Sequence, residues 1–146
     1  MPENIEIRMA TMADLPALID VGDALFDYAV KPDRAAEFIN DNRHHLIIAL
    51  DGDKIVGMAS GLHYVHPDKD PSLFINEVSV LDDYHNRGIG RAIVTAMKNH
   101  GATLGCTEEI WVATEISNTP ARRCYIAAGG VEDEEQAVVF GFEKSL

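Results

Sequence analysis

Apolar residues recur along the chain with two periods, and the switches between them set out the order of elements. Ile5, Ile7 and Met9 alternate with Glu6 and Arg8, the period of two expected of a strand with one buried face. From Leu15 the period lengthens: Leu15, Leu18, Ile19, Gly22, Leu25 and Phe26 fall on one helical face. Thr11 and Asp14 open that helix as a capping box with Asp in place of Glu. Lys31-Pro32 ends or restarts it, and Pro32 suits the first turn of a second helix with Ala36, Phe38 and Ile39 as its apolar positions. Asn40-Asp41-Asn42 interrupts the pattern. The runs Leu46–Leu50 and Ile55–Leu62 flank Asp51-Gly52-Asp53-Lys54, which predicts two antiparallel strands joined by a short Asp-Gly turn. His66-Pro67-Asp68-Lys69-Asp70-Pro71 cannot continue a ladder, because its prolines lack N–H donors and its charges favour water; it reads as a loop.

The second half repeats strand and helix. Leu73–Leu81 is a strand, and Asp82-Asp83-Tyr84 leads into His85-Asn86-Arg87-Gly88-Ile89-Gly90-Arg91, where a helix running from about Gly88 to Leu104 opens on glycines. Glu109–Thr114 reads as a strand holding Trp111 in its core. Asn118-Thr119-Pro120 starts a short helix with Ala121, Cys124, Tyr125 and Ala128 on one side. Gly129-Gly130 stops it, and Val138-Val139-Phe140-Gly141-Phe142 is a terminal strand. No internal repeat or linker interrupts residues 1–146, so one domain is expected. Its class is α/β (α+β), a mixed sheet with helices on its faces. A dinucleotide-binding fold is disfavoured, since there the Gly-rich turn follows the first strand and here it comes past the midpoint.

The glycine turn carries the first chemistry. Glycines in the first turn of a helix let the backbone approach a ligand closely, and unpaired N–H groups at the positive end of the dipole favour a phosphate oxygen. The ligand is therefore expected to be phosphorylated. Composition adds constraints: 146 residues, 47% of them hydrophobic, can bury a core without metals or disulfides. Cys106 and Cys124 fit no metal-ligand spacing and form no disulfide framework, so a reducing, cytoplasmic setting with no metal is expected. The sequence has no apolar run of membrane-spanning length and no leader pattern at Met1-Pro2-Glu3-Asn4. Twelve basic against 24 acidic side chains give a formal charge of −12, which disfavours nucleic acid and anionic lipid as partners and favours cations. Asp14, Asp20, Asp23, Asp27, Asp33, Glu37 and Asp41 punctuate the first helical region, and Glu132-Asp133-Glu134-Glu135 forms a second acidic run. Were both to line one cleft, the substrate would be a cation.

Taken together these segments resemble the GCN5-related N-acetyltransferase superfamily over nearly the whole chain. Its signature Gln/Arg-x-x-Gly-x-Gly/Ala is similar to His85-Asn86-Arg87-Gly88-Ile89-Gly90, with His85 as the departure. The acidic strand Glu77-Val78-Ser79-Val80 precedes it, and Asn118-Thr119-Pro120-Ala121-Arg122-Arg123-Cys124-Tyr125 follows, the order the family expects. The resemblance implies a mostly antiparallel sheet of six to seven strands flanked by about four helices, acetyl-coenzyme A as cosubstrate, and a homodimer formed through C-terminal strands. It further implies that backbone groups from Asn86 through Arg87, Gly88, Ile89 and Gly90 to Arg91 hold the pyrophosphate, with Arg87 and Arg91 as either phosphate contacts or solvated helix-end residues. Strand backbone at Val78, Ser79 and Val80 would pair with the pantetheine arm, and Asn118 would bind that arm or cap its helix.

Acetyl transfer to an amine requires a neutral nucleophile, a polarised thioester carbonyl and a proton for the departing thiolate. Glu77 is the candidate for orienting and deprotonating the ammonium, and strict alternation places it on one face with Ile75 and Ser79. Tyr125 is the candidate donor to the sulfur, and the Val78 N–H the implied oxyanion donor. His63 and His66 stand in reserve as bases, although loop histidines without a partner are usually polar surface. Cys124 is expected to pack. The expected acceptor is the primary amine of a small cation, with aminoglycosides and polyamines among the candidates. The segments also resemble small aminoglycoside 3-N-acetyltransferases. Two alternatives follow from the same residues: acetylation of a protein N-terminus or lysine, and a non-catalytic acyl-coenzyme A sensor.

Overall fold

In a computed structural model that describes residues 4–143, five strands form one sheet in the order β1-β2-β3-β4-β5. The strands are β1 (Ile5–Met9), β2 (His44–Asp51), β3 (Lys54–Tyr64), β4 (Ser72–Val80) and β5 (Glu109–Val112). All neighbours are antiparallel except β4 and β5, which run parallel. The helices are α1 (Leu15–Asp20), α2 (Pro32–Asn40), α3 (Ile89–Thr103) and α4 (Thr119–Ala127). The α+β class and the mostly antiparallel sheet match the expectation, with five strands in place of six or seven.

The core divides into two layers. Against one face, Ile89, Ile93, Val94 and Met97 of α3 pack on Ile47, Ala49, Ala59, Leu73 and Ile75 of the sheet. Against the other, Leu18 and Ala35 from α1 and α2, with Leu25 between them, cover Leu46, Ile48 and Met58. β2 alternates between the layers as period two requires, with Ile47 and Ala49 toward one and Leu46, Ile48 and Leu50 toward the other.

The turn between β2 and β3 sits at Gly52-Asp53, with Gly52 at φ +61°. The first helix is shorter than its apolar pattern. It stops at Asp20, and Gly22 at φ +62° turns the chain so that residues 21–31 run back as a loop, closed by Val30 N–H donating to Gly22 O at 3.0 Å. Leu25 and Phe26 remain partly or fully buried, but from a loop. Asp14 anchors the helix entry: it accepts from Thr11 N–H at 2.7 Å and from both terminal nitrogens of the Arg8 guanidinium at 2.7 and 2.8 Å.

Two strand expectations fail. Val138–Phe142 forms no strand among the described residues and leaves Val139 92% and Phe142 97% exposed, because β5 ends the sheet and the segment lacks a partner strand. Trp111 is 43% exposed and not core; it points to the face away from Ile110 and Val112, where no helix covers β5.

Candidate active site

The site begins with an irregularity in β4. Register with β3 runs Leu62↔Phe74, Gly61↔Ile75, then Ser60↔Glu77, so Asn76 is an extra residue, a bulge. Before it, Leu73 and Ile75 face α3; after it, Val78 and Val80 do. Glu77 and Ser79 thereby turn to the α1–α2 face, and Glu77 lies opposite Ile75, not beside it as strict alternation required. The Ser60 hydroxyl lies 3.4 Å from the Glu77 carboxylate, a weak contact.

On that face Glu77 and Ser60 form the floor of a cleft of about 360 Å3. The 21–31 loop supplies Phe26, Asp27, Tyr28, Val30 and Lys31, and α2 supplies Arg34, Ala35 and Phe38. Of the acidic residues in the first helical region, Asp27 alone reaches this cleft among the described residues. Asp14 is committed to Arg8, whose guanidinium holds its carboxyl down at about 2. The second run lies beyond α4, where Glu132 accepts from Arg122 at 2.6 Å. The two acidic runs therefore do not share a cleft, and Lys31 and Arg34 offset Asp27 and Glu77.

The same bulge falls where β4 loses its other neighbour. β5 pairs only with Ser72–Ile75, so the stretch from Asn76 to Val80 has an open edge on that side. Peptide-like groups can add to such an edge as another strand. Beyond it lies the cradle. Asn86 at φ +62° and Gly88 at φ +78° turn the chain into α3, whose first helical bond is from Ala92 N–H to Gly88 O. The N–H groups of Ile89, Gly90 and Arg91 precede that bond, as at any helix start, and face outward with the dipole behind them. Gly90 serves a second purpose: a Cβ there would lie 3.2 Å from Cys124 Sγ, a tight contact that the Cys124 side chain would have to relieve by a few tenths of an ångström.

Side chains around the cradle have definite tasks. His85 Nε2–H donates to Val80 O at 2.7 Å, clamping the loop to the strand end and engaging that carbonyl. Arg87 donates to Asp83 O at 2.9 Å and stacks on Tyr84, whose hydroxyl donates to Asp51 at 2.5 Å. Arg87 is thus held by the loop, whereas Arg91 has no hydrogen-bond partner among the described residues. Asn118 caps α4 by accepting from Ala121 N–H at 3.2 Å. Tyr125, on α4, packs against the α3 layer, and burial followed by the neighbouring Cys124 raises its pKa, which keeps its proton in place at neutral pH. Burial likewise raises the Cys124 thiol, and its sulfur packs at Gly90. Glu77 and Tyr125 therefore stand on opposite sides of the sheet, with the open edge of β4 between them.

The histidines held in reserve are not surface groups without partners. His63 lies within β3, and its Nδ1 is 2.7 Å from His45 Nε2, while His45 Nδ1 is 2.9 Å from His100 Nε2. His66 Nε2 is 2.8 Å from Ser72 Oγ, which donates to Glu109 at 2.6 Å. Three histidines 18 and 37 residues apart in sequence give no local signal; only strand pairing brings His45 and His63 together.

The sequence matches the family described as acetyltransferase (GNAT) over residues 12–129, and the chain belongs to that family. The N-acetyltransferase class and the coenzyme A cosubstrate expected from the sequence agree with this, and the cradle amides and open strand edge fit such a cosubstrate. Among curated proteins none matches by direct comparison. Solved structures do. An aminoglycoside acetyltransferase from an uncultured soil metagenomic sample, in complex with sisomicin, superposes with TM-score 0.84 at 22% identity over 97% of each chain. An aminoglycoside N-acetyltransferase of the 6′ type in complex with coenzyme A gives 0.78 at 21%, covering 97% of this chain and 95% of the other. A transcriptional regulator from Bacillus halodurans gives 0.73 at 25%, over 94% and 99%.

Proposed function

We propose that the chain transfers an acetyl group from acetyl-coenzyme A to the primary amine of a small acceptor, directly within a ternary complex. The observation that carries this reading is the meeting of two sites at one peptide. Glu77 opens into the cleft, and Val78, the next residue, belongs to the stretch of β4 with a free edge. Backbone at Val78, Ser79 and Val80 holds the pantetheine arm, and the amides from Asn86 to Arg91 hold the pyrophosphate, with Arg91 adding its charge. Asn118 orients the arm from the end of α4.

Glu77 accepts the proton of the acceptor ammonium, directly or through water, and the freed amine attacks the thioester carbonyl. The Val78 N–H stabilises the oxyanion, and the Tyr125 hydroxyl supplies the proton that the departing sulfur takes up. Aminoglycosides are the first acceptor class to test, supported by the neighbour that binds sisomicin. With Lys31 and Arg34 beside Asp27 and Glu77, the cleft selects more by shape and by the position of Glu77 than by net charge.

Free thiol released from acetyl-coenzyme A is measured against aminoglycosides, polyamines and peptides. Amine-dependent release is expected, with turnover lowered at least 10-fold in Tyr125→Phe at unchanged cofactor affinity, and with a shifted pH profile in Glu77→Gln. Release with peptides alone would favour the protein-modifying alternative, and tight cofactor binding without release on any amine would favour the sensor. The chain is read as cytoplasmic, where its free thiols Cys106 and Cys124 stay reduced.

A homodimer is part of this reading. The exposed Val138, Val139, Phe140 and Phe142 follow an unpaired edge at β5, and a second copy would cover both. Sedimentation should give a dimer for the natural chain and a monomer for Phe140→Asp with Phe142→Asp; a monomer in both cases would end the proposal.

A further inference from the structure

The face to which the bulge turns Glu77 carries a second group without cover. Leu62 pairs with Phe74, and Phe74 with Trp111, so all three point to the same side of the sheet as Ser60 and Glu77. The rings of Phe74 and Trp111 lie 4.4 Å apart at 36°. Trp111 Nε1–H donates to the Tyr64 hydroxyl at 2.8 Å, and His66 meets the Tyr64 ring edge-on at 5.2 Å. The one polar atom of the indole is thus satisfied within the protein, while 43% of the residue stays exposed and none of these rings belongs to either core layer.

We infer that Tyr64, Phe74 and Trp111 form an aromatic ledge that seats the non-reacting ring of the acceptor. The inference rests on Glu77 marking the place of transfer. Continuity with the cleft carries it: Ser60, the partner of Glu77, and Leu62 are two residues apart on β3, so the ledge begins about 7 Å along the strand from Ser60, and Trp111 lies one strand beyond Phe74. That is the reach of a molecule with two linked rings. An electron-rich indole face prefers a ring that presents C–H bonds or carries ammonium groups, and the carboxylate at the other end prefers an amine. A multi-ring amino sugar has both. A single-ring amine fills the cleft and leaves the ledge uncovered.

Trp111 is the chain's one tryptophan, so its emission reads the ledge directly. In the presence of coenzyme A, kanamycin (three rings) should change Trp111 fluorescence saturably, and glucosamine (one ring) should not. In the thiol-release assay, Trp111→Ala should raise KM for kanamycin about 5- to 10-fold, with kcat, KM for acetyl-coenzyme A and KM for glucosamine unchanged. Trp111→Phe, which keeps a ring, should recover much of the loss. Emission unmoved by kanamycin, or equal rises in KM for both acceptors, overturns the ledge. Absence of thiol release with every amine, in the natural chain, overturns the transfer reading instead.

Discussion

Acid should loosen this protein well above the range in which its carboxylates titrate, and His45 is the reason. The residue is 5% exposed, at the start of β2, with one ring nitrogen toward His63 and the other toward His100. Each neutral imidazole has one N–H, so the chain of three can be satisfied only with every proton shared in one direction. Burial first, then the neighbouring His100 and His63, hold the His45 pKa down to about 4, against an ordinary 6.5. His100 is lowered too, by burial first and then by His63. A folded pKa below the unfolded one means that the unfolded chain binds the proton more readily. Stability is therefore fully present above about pH 6.5 and is lost as pH falls toward 4. Linkage across that interval gives roughly 2 kcal/mol lost between pH 7.5 and 5, and about 3 kcal/mol at completion. Urea unfolding followed by circular dichroism at pH 7.5, 6.5, 5.5 and 5 should show this fall. His45→Gln should be less stable at pH 7.5 but much flatter with pH. The reasoning is refuted if the variant falls as steeply as the natural chain, or if the His45 ring titrates near 6.5 by NMR.

Two further substitutions test other parts of the framework. Asp14, with its pKa held at about 2 by Arg8, stabilises the fold above about pH 4 and loses that contribution as pH falls through 2. Asp14→Asn should therefore cost about 2 kcal/mol at pH 7 in urea unfolding, with the gap closing toward pH 2. Gly90→Ala should destabilise by about 1 kcal/mol and weaken coenzyme A binding, because its methyl meets Cys124 Sγ at 3.2 Å. Cys124→Ala in the same chain should restore most of both, as calorimetry would show; no rescue would mean that the α3–α4 contact is not what Gly90 serves.

The chain order from strand to cradle to helix was legible because each step is local. Glycines at 88 and 90, the hairpin at Gly52 and the cap at Asn118 act within a few residues, and the structure realises each one. What escaped the sequence is non-local. Residues 15–26 keep an apolar helical period, yet the helix ends at Asp20, because a loop can bury Leu25 as well as a helix can. Val138–Phe142 has a strand's composition but no strand beside it. Trp111 alternates correctly, but alternation does not say which face a helix will cover. The acidic surplus is real and is spread around the molecule, while the cleft itself mixes charges.

The extra residue at Asn76 acts on the sheet as an inserted base acts on a reading frame. Everything downstream in β4 keeps its order and changes its meaning: Glu77 reads outward to the cleft and Val78 inward to α3. Deleting that one exposed residue would leave a regular ladder with Glu77 still toward the cleft, whereas pairing Asn76 into the ladder would put the carboxylate on the α3 face with Ile75 and turn two valines toward the cleft.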